Sequence, residues 1–239
     1  LLASICKTDL TSDLVGEFPE LQGIMGGHFS DHQGFDRDIS LAIKEQYLPI
    51  GLNSKIQKKS FSVALSITDK IDTLVGFFGI NEKPTSSKDP FALRRIALGI
   101  IRTIIENKKD LKLKDLLNYS SSLYIDQGNN FQNKDLQKEL YNFLKDRFKY
   151  YLKEKQIRLD IIEASISSFK INKLFSCFEK AKSLDKIINS QIGFDITSCY
   201  KRASNILESE LKNKHTEITN TTDPEIFKTD FEKNLFKKI

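Results

Sequence analysis

In the segment SKDPFALRRIALGIIRTIIENKK, the residues Leu93, Ile96, Ala97, Ile100, Ile101 and Ile104 follow one another at helical intervals. Spacings of three and four return a side chain to the same side of an α-helix, whereas a strand needs alternation. The same period recurs along most of the chain, strand-like alternation is nearly absent, and no repeat with a period of about 20–50 residues is present. The pattern excludes a sheet-based fold and a solenoid, and the expected fold class is all-α.

The predicted elements follow from that period and its interruptions. Leu2, Ile5, Cys6, Leu10 and Leu14 predict one amphipathic helix ending near GEFPELQG. The glycine-rich MGGHFSDHQGFDRD, residues 25–38, reads as a loop. Ile39, Leu41, Ala42, Gln46 and Tyr47 predict a helix stopped at Pro49, and SFSVALSITDKIDTLVGFFGI carries an apolar stripe wide enough for a buried helix. Asp89 is the expected N-cap of the next helix, with Pro90 in its first turn. Arg95 and Arg102 lie opposite the apolar face of that helix, which predicts a basic ridge toward solvent. A short helix before a loop at DQGNN is expected next, then a long, charged helical region from Lys134 to Phe175 with Tyr141, Leu144, Phe148 and Tyr151 at spacings of three or four. In FDITSCYKRASNILESELKNK, Ile196, Tyr200, Ala203, Ile206 and Leu207 are expected to be buried, with Lys201, Asn205 and Glu208 on the other side. HTEITNTTDPE reads as a polar loop, and Asp223 with Pro224 as the cap of a last short helix.

A chain of 239 residues can enclose one large core or two smaller ones. Lys and Arg outnumber Asp and Glu by 37 to 32, a mild basic excess that permits a polyanionic partner without requiring one. Cys6, Cys177 and Cys199 are odd in number and lack C-x-x-C spacing, which fits a reducing cytoplasm better than a disulfide framework. No apolar run reaches the length needed to span a bilayer, so no membrane partner is expected. The chain opens on LLASICKTDL, without methionine and inside a helical pattern, and reads as a piece of a longer protein.

Two of the three histidines and three aspartates fall within residues 25–38, which raises the question of a metal site. Hydrolases of the HD superfamily take their ligands from helices: a histidine, an adjacent His-Asp pair and a later aspartate. Asp9, His28 and Asp69 are similar in order and are the weak metal candidates. Thr8 precedes Asp9 where the pair needs a histidine, and a hydroxyl does not replace imidazole as a ligand, so no metal is expected. A metal-dependent phosphohydrolase acting on nucleotides is the alternative reading. The chain contains no P-loop, no dinucleotide fingerprint and no pairing of nucleophile with base, and no catalytic residue is assigned.

RNA backbones are held by Lys and Arg sharing a face, and unpaired bases by aromatic stacking. Arg95 with Arg102, and Lys201 and Arg202 beside Asn205, are the candidate RNA-binding residues. Tyr150 and Tyr151, flanked by Lys149 and Lys153, could stack bases. Each also has a plainer reading, in which Arg94 and Arg95 pair with local carboxylates and the charged helix is a solvated face.

Five segments, GEFPELQGIMGGHFSDHQG, DISLAIKEQYLPIG, ALSITDKIDTLVGFFGI, KDPFALRRIALGIIRTIIE and YKRASNIL, resemble the β subunit of the bacterial heterotetrameric glycyl-tRNA synthetase in order and spacing. The resemblance implies a degenerate HD-like helical domain over 1–125, a helical linker over 126–190, and the start of a DALR-like anticodon-binding domain over 191–239. It also implies a role in ATP-dependent charging of tRNA(Gly) with glycine, the adenylate chemistry and its ATP with Mg belonging to a separate α subunit. The implied partners are that α subunit, in an α2β2 assembly, and tRNA(Gly). This chain alone would catalyse nothing and hold no cofactor. A helical scaffold with little RNA contact of its own is the third reading.

Overall fold

The structure, a computed structural model, describes residues 1–129, 131–167, 169–214 and 224–238, and every regular element among them is helical. These residues divide into two compact units, Leu1–Lys186 and Ile187–Ile239.

The first stretch of the chain is not one helix. It forms α1 (Leu2–Ile5), a 3₁₀ turn (Thr8–Thr11) and α2 (Asp13–Glu17), whose first turn is capped by Ser12 accepting from the Val15 N–H. The break has a tertiary cause. Asp9 is 1% exposed, and its Oδ2 accepts the N–H groups of Gly23 at 2.6 Å and Gly26 at 3.2 Å. The carboxylate thus satisfies two donors that the start of the next helix leaves without intrahelical partners.

That next helix, α3 (Ile24–His32), occupies most of the stretch expected as a loop. Glycines in a helix interior are ordinarily destabilising, but here they admit a neighbour. A Cβ at Gly27 would stand 2.7 Å from Lys44 Cβ and 2.8 Å from the Ser40 carbonyl, both on α4 (Arg37–Glu45). Ser40 reaches Ser30 across this contact at 3.0 Å. The glycine pair therefore encodes a close helix crossing, which the local pattern does not distinguish from a flexible loop.

The centre of the unit is α5 (Ser60–Gly79), which packs against α4, α6 (Leu93–Glu106), α7 (Leu113–Asp126) and α8 (Leu136–Glu154). Its buried face carries Leu65, Ile67, Ile71, Leu74, Val75 and Phe78; of the stripe that the spacing predicts, Ile67, Ile71, Leu74 and Val75 are buried, whereas Val63 is half-buried and Ala64 exposed. The start of α6 departs from expectation. Pro90 lies outside the helix, and Ala92, with φ 54°, is its N-cap residue. Asp89 still caps it, through Oδ1 to the Leu93 N–H at 2.8 Å and Oδ2 to the Arg94 N–H at 3.0 Å.

Residues 97–105 of α6 are all buried, including Arg102 at 4% exposure. A helix apolar on nearly all sides belongs in an interior, and the segment joining α4 to α5 covers its remaining face. On α8, Leu136, Leu140, Leu144, Phe148, Tyr151 and Leu152 are buried. The region from Lys134 to Phe175 is interrupted: α9 (Leu159–Ile166) and a 3₁₀ turn (Ile171–Lys173) separate α8 from α10 (Leu174–Ile188). Most of residues 126–186 thus forms packed helix, with the Phe169 ring tilted against Tyr141 and Phe148.

The second unit contains α11 (Gln191–Lys214), a 3₁₀ turn (Pro224–Ile226) and α12 (Asp230–Lys238). Asp223 lies outside the described residues, as does the segment 215–223. The cap of α12 is a reciprocal one: Glu232 Oε2 accepts from the Thr229 N–H at 2.7 Å, and the Glu232 N–H donates to Thr229 Oγ1 at 3.3 Å. The apolar side of α11 is open. Ile196, Tyr200, Ile206 and Leu207 are exposed, Tyr200 at 73%, which corrects the expected burial.

Candidate nucleic-acid interface

The first unit has a cleft of about 570 Å³ whose wall comes from five separate segments: Lys7, Pro19 to Gln22, Tyr47 to Ile50, Asp69 to Thr73, and the start of α6. Lys7 joins three of them. Its ammonium pairs with Asp69 at 2.5 Å, donates to the Tyr47 hydroxyl at 2.9 Å, and sits 4.4 Å from the centre of the Tyr47 ring. Gln22 Nε2 also donates to that hydroxyl. Burial works against the Lys7 charge, but the bonds to Asp69 and Tyr47 outweigh it and hold the ammonium above its ordinary pKa. Burial also raises the Tyr47 hydroxyl, so both groups keep their protons at neutral pH.

Lys70 is 5% exposed and donates to the carbonyls of Gln46 at 3.1 Å and Leu48 at 2.8 Å and to Ser66 Oγ at 2.6 Å. These bonds tie the end of α4 to α5, and burial lowers the lysine pKa to about 8. All three ammonium protons have acceptors within the protein, so Lys70 contributes positive field to the cleft rather than a free donor.

At the mouth, Phe91 and Arg95 sit on either side of the left-handed Ala92. Phe91 is 42% exposed and stacks on Phe77, ring centres 4.1 Å apart. Arg95 is exposed on the first turn of α6 and has no hydrogen-bond or ion-pair partner among the described residues. The neighbouring Arg94 is spent on the Thr85 carbonyl.

The expected basic ridge on α6 is therefore half a ridge. Arg102 does not face solvent: its Nη1 bonds the Gly51 carbonyl, Nη2 the Ser54 carbonyl at 2.9 Å, and Nε the Glu106 carboxylate at 2.9 Å. It clamps the segment 49–57 onto α6 and is withdrawn from any RNA contact. Tyr151, 1% exposed, is core and offers no face to a base, whereas Tyr150 is exposed. Lys201, Arg202 and Asn205 are exposed on α11, in the second unit.

The three metal candidates do not suit a cation. Asp9 accepts two N–H groups at the start of α3, and Asp69 pairs through Oδ1 with Lys7. His28 is exposed, 3.4 Å from Lys44 Nζ. Among the described residues no three His, Cys, Asp or Glu side chains are grouped to hold a metal ion. The sequence reading missed Lys7, Tyr47, Lys70 and Phe91. One signal was available, since Lys70 shares the helix side of Ile67, Ile71 and Leu74, and a lysine on an apolar stripe marks a buried amine.

Comparison with known proteins adds a lineage. A family model described as the glycyl-tRNA synthetase beta subunit matches residues 2–167. The glycine–tRNA ligase beta subunit of Rickettsia canadensis (strain McKiel) is 42% identical over 236 residues, 99% of this chain and 33% of the relative. That of Rickettsia conorii (strain ATCC VR-613 / Malish 7) is 39% identical over 237 residues, and that of Cereibacter sphaeroides (strain ATCC 17029 / ATH 2.4.9) is 36% identical over 237 residues; each match covers 99% of this chain. The chain spans about a third of the length of these curated relatives. Among the described residues no helix is long and apolar enough to cross a membrane.

Proposed function

Since the chain belongs to the glycyl-tRNA synthetase beta subunit family, we infer that it is a tRNA-binding part of the glycine–tRNA ligase β subunit and supports the charging of tRNA(Gly) with glycine. The observation that carries this is the match of nearly the whole chain to named β subunits, and the exposed cations Arg95, Lys201 and Arg202 accord with it. Its partners on this reading are tRNA(Gly) and an α subunit in an α2β2 assembly, working in the cytoplasm. ATP with magnesium belongs to the α subunit, and this chain supplies grip and placement rather than a reacting group.

RNA held through phosphates binds more weakly as salt rises, because each neutralised phosphate releases counterions. The test is a titration of the 239-residue chain with tRNA(Gly) and with a non-cognate tRNA at two salt concentrations. Salt-sensitive binding with preference for tRNA(Gly) is expected, and charge reversal at Lys201 and Arg202 weakens it. No binding at low salt would assign the grip to other parts of β and make this piece a scaffold.

A further inference from the structure

We propose that the cleft between Lys7, Tyr47, Asp69 and Phe91 receives one unpaired nucleotide of a bound RNA, its base stacked on Phe91 and its phosphate held by Arg95. This deepens the tRNA reading above and rests on it.

Four observations converge here. The cleft of about 570 Å³ lies in the size range of pockets for small organic groups. Its mouth carries a half-exposed aromatic ring that is already stacked on Phe77, and a ring held on one side is pre-oriented for a base on the other. Its floor is polar and braced. Lys7 uses two of its three donors on Tyr47 and Asp69, so one remains for a base edge. Arg95 stands one helical turn inside the cap, and a free guanidinium suits a phosphate.

The backbone at the mouth is built rather than incidental. Ala92 holds φ 54°, a conformation that costs energy for a residue with a Cβ. The Ala92 N–H donates to the Asp89 carbonyl at 3.1 Å, while the Asp89 carboxylate caps Leu93 and Arg94. Asp89 thereby fixes the backbone between Phe91 and Arg95. Such strain is characteristic of ligand clamps. The charged groups lining the cleft leave one positive charge in excess, because Lys7 offsets Asp69, the internally bonded Lys70 offsets Glu20, and Arg95 remains.

The experiment uses the complete β subunit assembled with α, and measures tRNA(Gly) affinity at two salt concentrations for wild type, Phe91→Leu, Phe91→Trp and Arg95→Gln. Loss of one aromatic stack weakens single-strand binding by about 5- to 150-fold. Phe91→Leu is expected to fall in that range and Phe91→Trp to restore affinity. Arg95→Gln should weaken binding and lower the slope of log K against log salt by about one. Wild-type affinity in Phe91→Leu, or equal losses in the Leu and Trp variants, overturns the proposal. Arg95→Gln is an exposed change that leaves the core intact, so an unaltered salt slope also overturns it should Phe91→Leu fail to fold. If wild type itself holds no tRNA(Gly), the reading of the whole chain falls. If wild type binds and Lys201→Glu with Arg202→Glu weakens it while the cleft variants do not, only the cleft is refuted.

Discussion

Helices α6 and α11 are written in the same way, each with an apolar stripe and two basic residues on the other side, yet they end in opposite surroundings. In α6 the stripe is core and the second arginine is buried with it. In α11 the stripe is exposed and so are Lys201 and Arg202. Periodicity determines which residues share a face. It does not determine what covers that face, because burial is a property of the neighbours as much as of the helix. The segment 49–57 covers the outward side of α6, whereas no described residue of the second unit covers the stripe of α11.

The sharpest way to break this contrast is to compare cations. Removing one member of a buried pair leaves its partners unpaired and costs about 3–5 kcal/mol, whereas an exposed substitution shifts stability by about 0.5 kcal/mol or less. In urea unfolding of the 239-residue chain, Arg102→Ala is expected to show the large loss, since the Ser54 carbonyl and the Glu106 carboxylate lose their donor and the Gly51 carbonyl keeps only Ser54. Lys201→Ala is expected to show the small one. Equal effects would mean that the two faces are alike after all.

The apolar stripes answer to the same measurement. Ile100 is fully buried, so Ile100→Ala should cost about 2–5 kcal/mol through lost transfer energy and a residual cavity. Ile196→Ala, on the open side of α11, should leave the midpoint nearly unchanged. A large loss at Ile196 would reveal a cover over α11.

A third contrast is between the buried Lys70 amine and a neutral side chain in its place. Below about pH 8 Lys70 is charged in both the folded and unfolded states, and the folded state bears the cost of burying that charge. Above it the folded protein gives up the proton first, so its stability relative to a Lys70→Met variant should rise between about pH 8 and pH 10.5, by up to about 3 kcal/mol. Paired urea titrations across that range would check it.

The smallest effect concerns backbone approach. Gly27→Ala pushes a methyl group into Lys44 and Ser40 and should cost about 1–3 kcal/mol. Gly16→Ala, with open space around it, should be neutral or stabilising by up to about 1 kcal/mol. Thermal melts of the two variants would separate a packed helix crossing from an open one.

These contrasts follow the line between what was legible and what was not. The positions of α4 and α5 are readable because their apolar residues recur with the helical period, although α4 ends at Glu45, before Gln46, Tyr47 and the expected stop at Pro49. The helix α3 is not readable, since the glycines that allow α4 to approach look locally like a loop. Asp89 was recognised as a cap, but the bend at Ala92 that places Pro90 outside the helix was not. Of the cleft, the sequence marks Arg95 as an RNA-binding candidate and Asp69 as a weak metal candidate, and the structure pairs Asp69 with Lys7. Phe91 and Tyr47 carried no local mark.

By itself the sequence determined the all-α class, the apolar faces of the principal helices and the family to which the chain belongs. Each of these depends on residues close together along the chain or on their order within it. Only the tertiary structure decided that Arg102 is a clamp while Arg95 is free, that Asp9 serves a helix start, and that five separate segments, Lys7 among them, close a cleft. Those outcomes depend on groups far apart in sequence, where burial and hydrogen bonding are settled by whichever neighbour arrives.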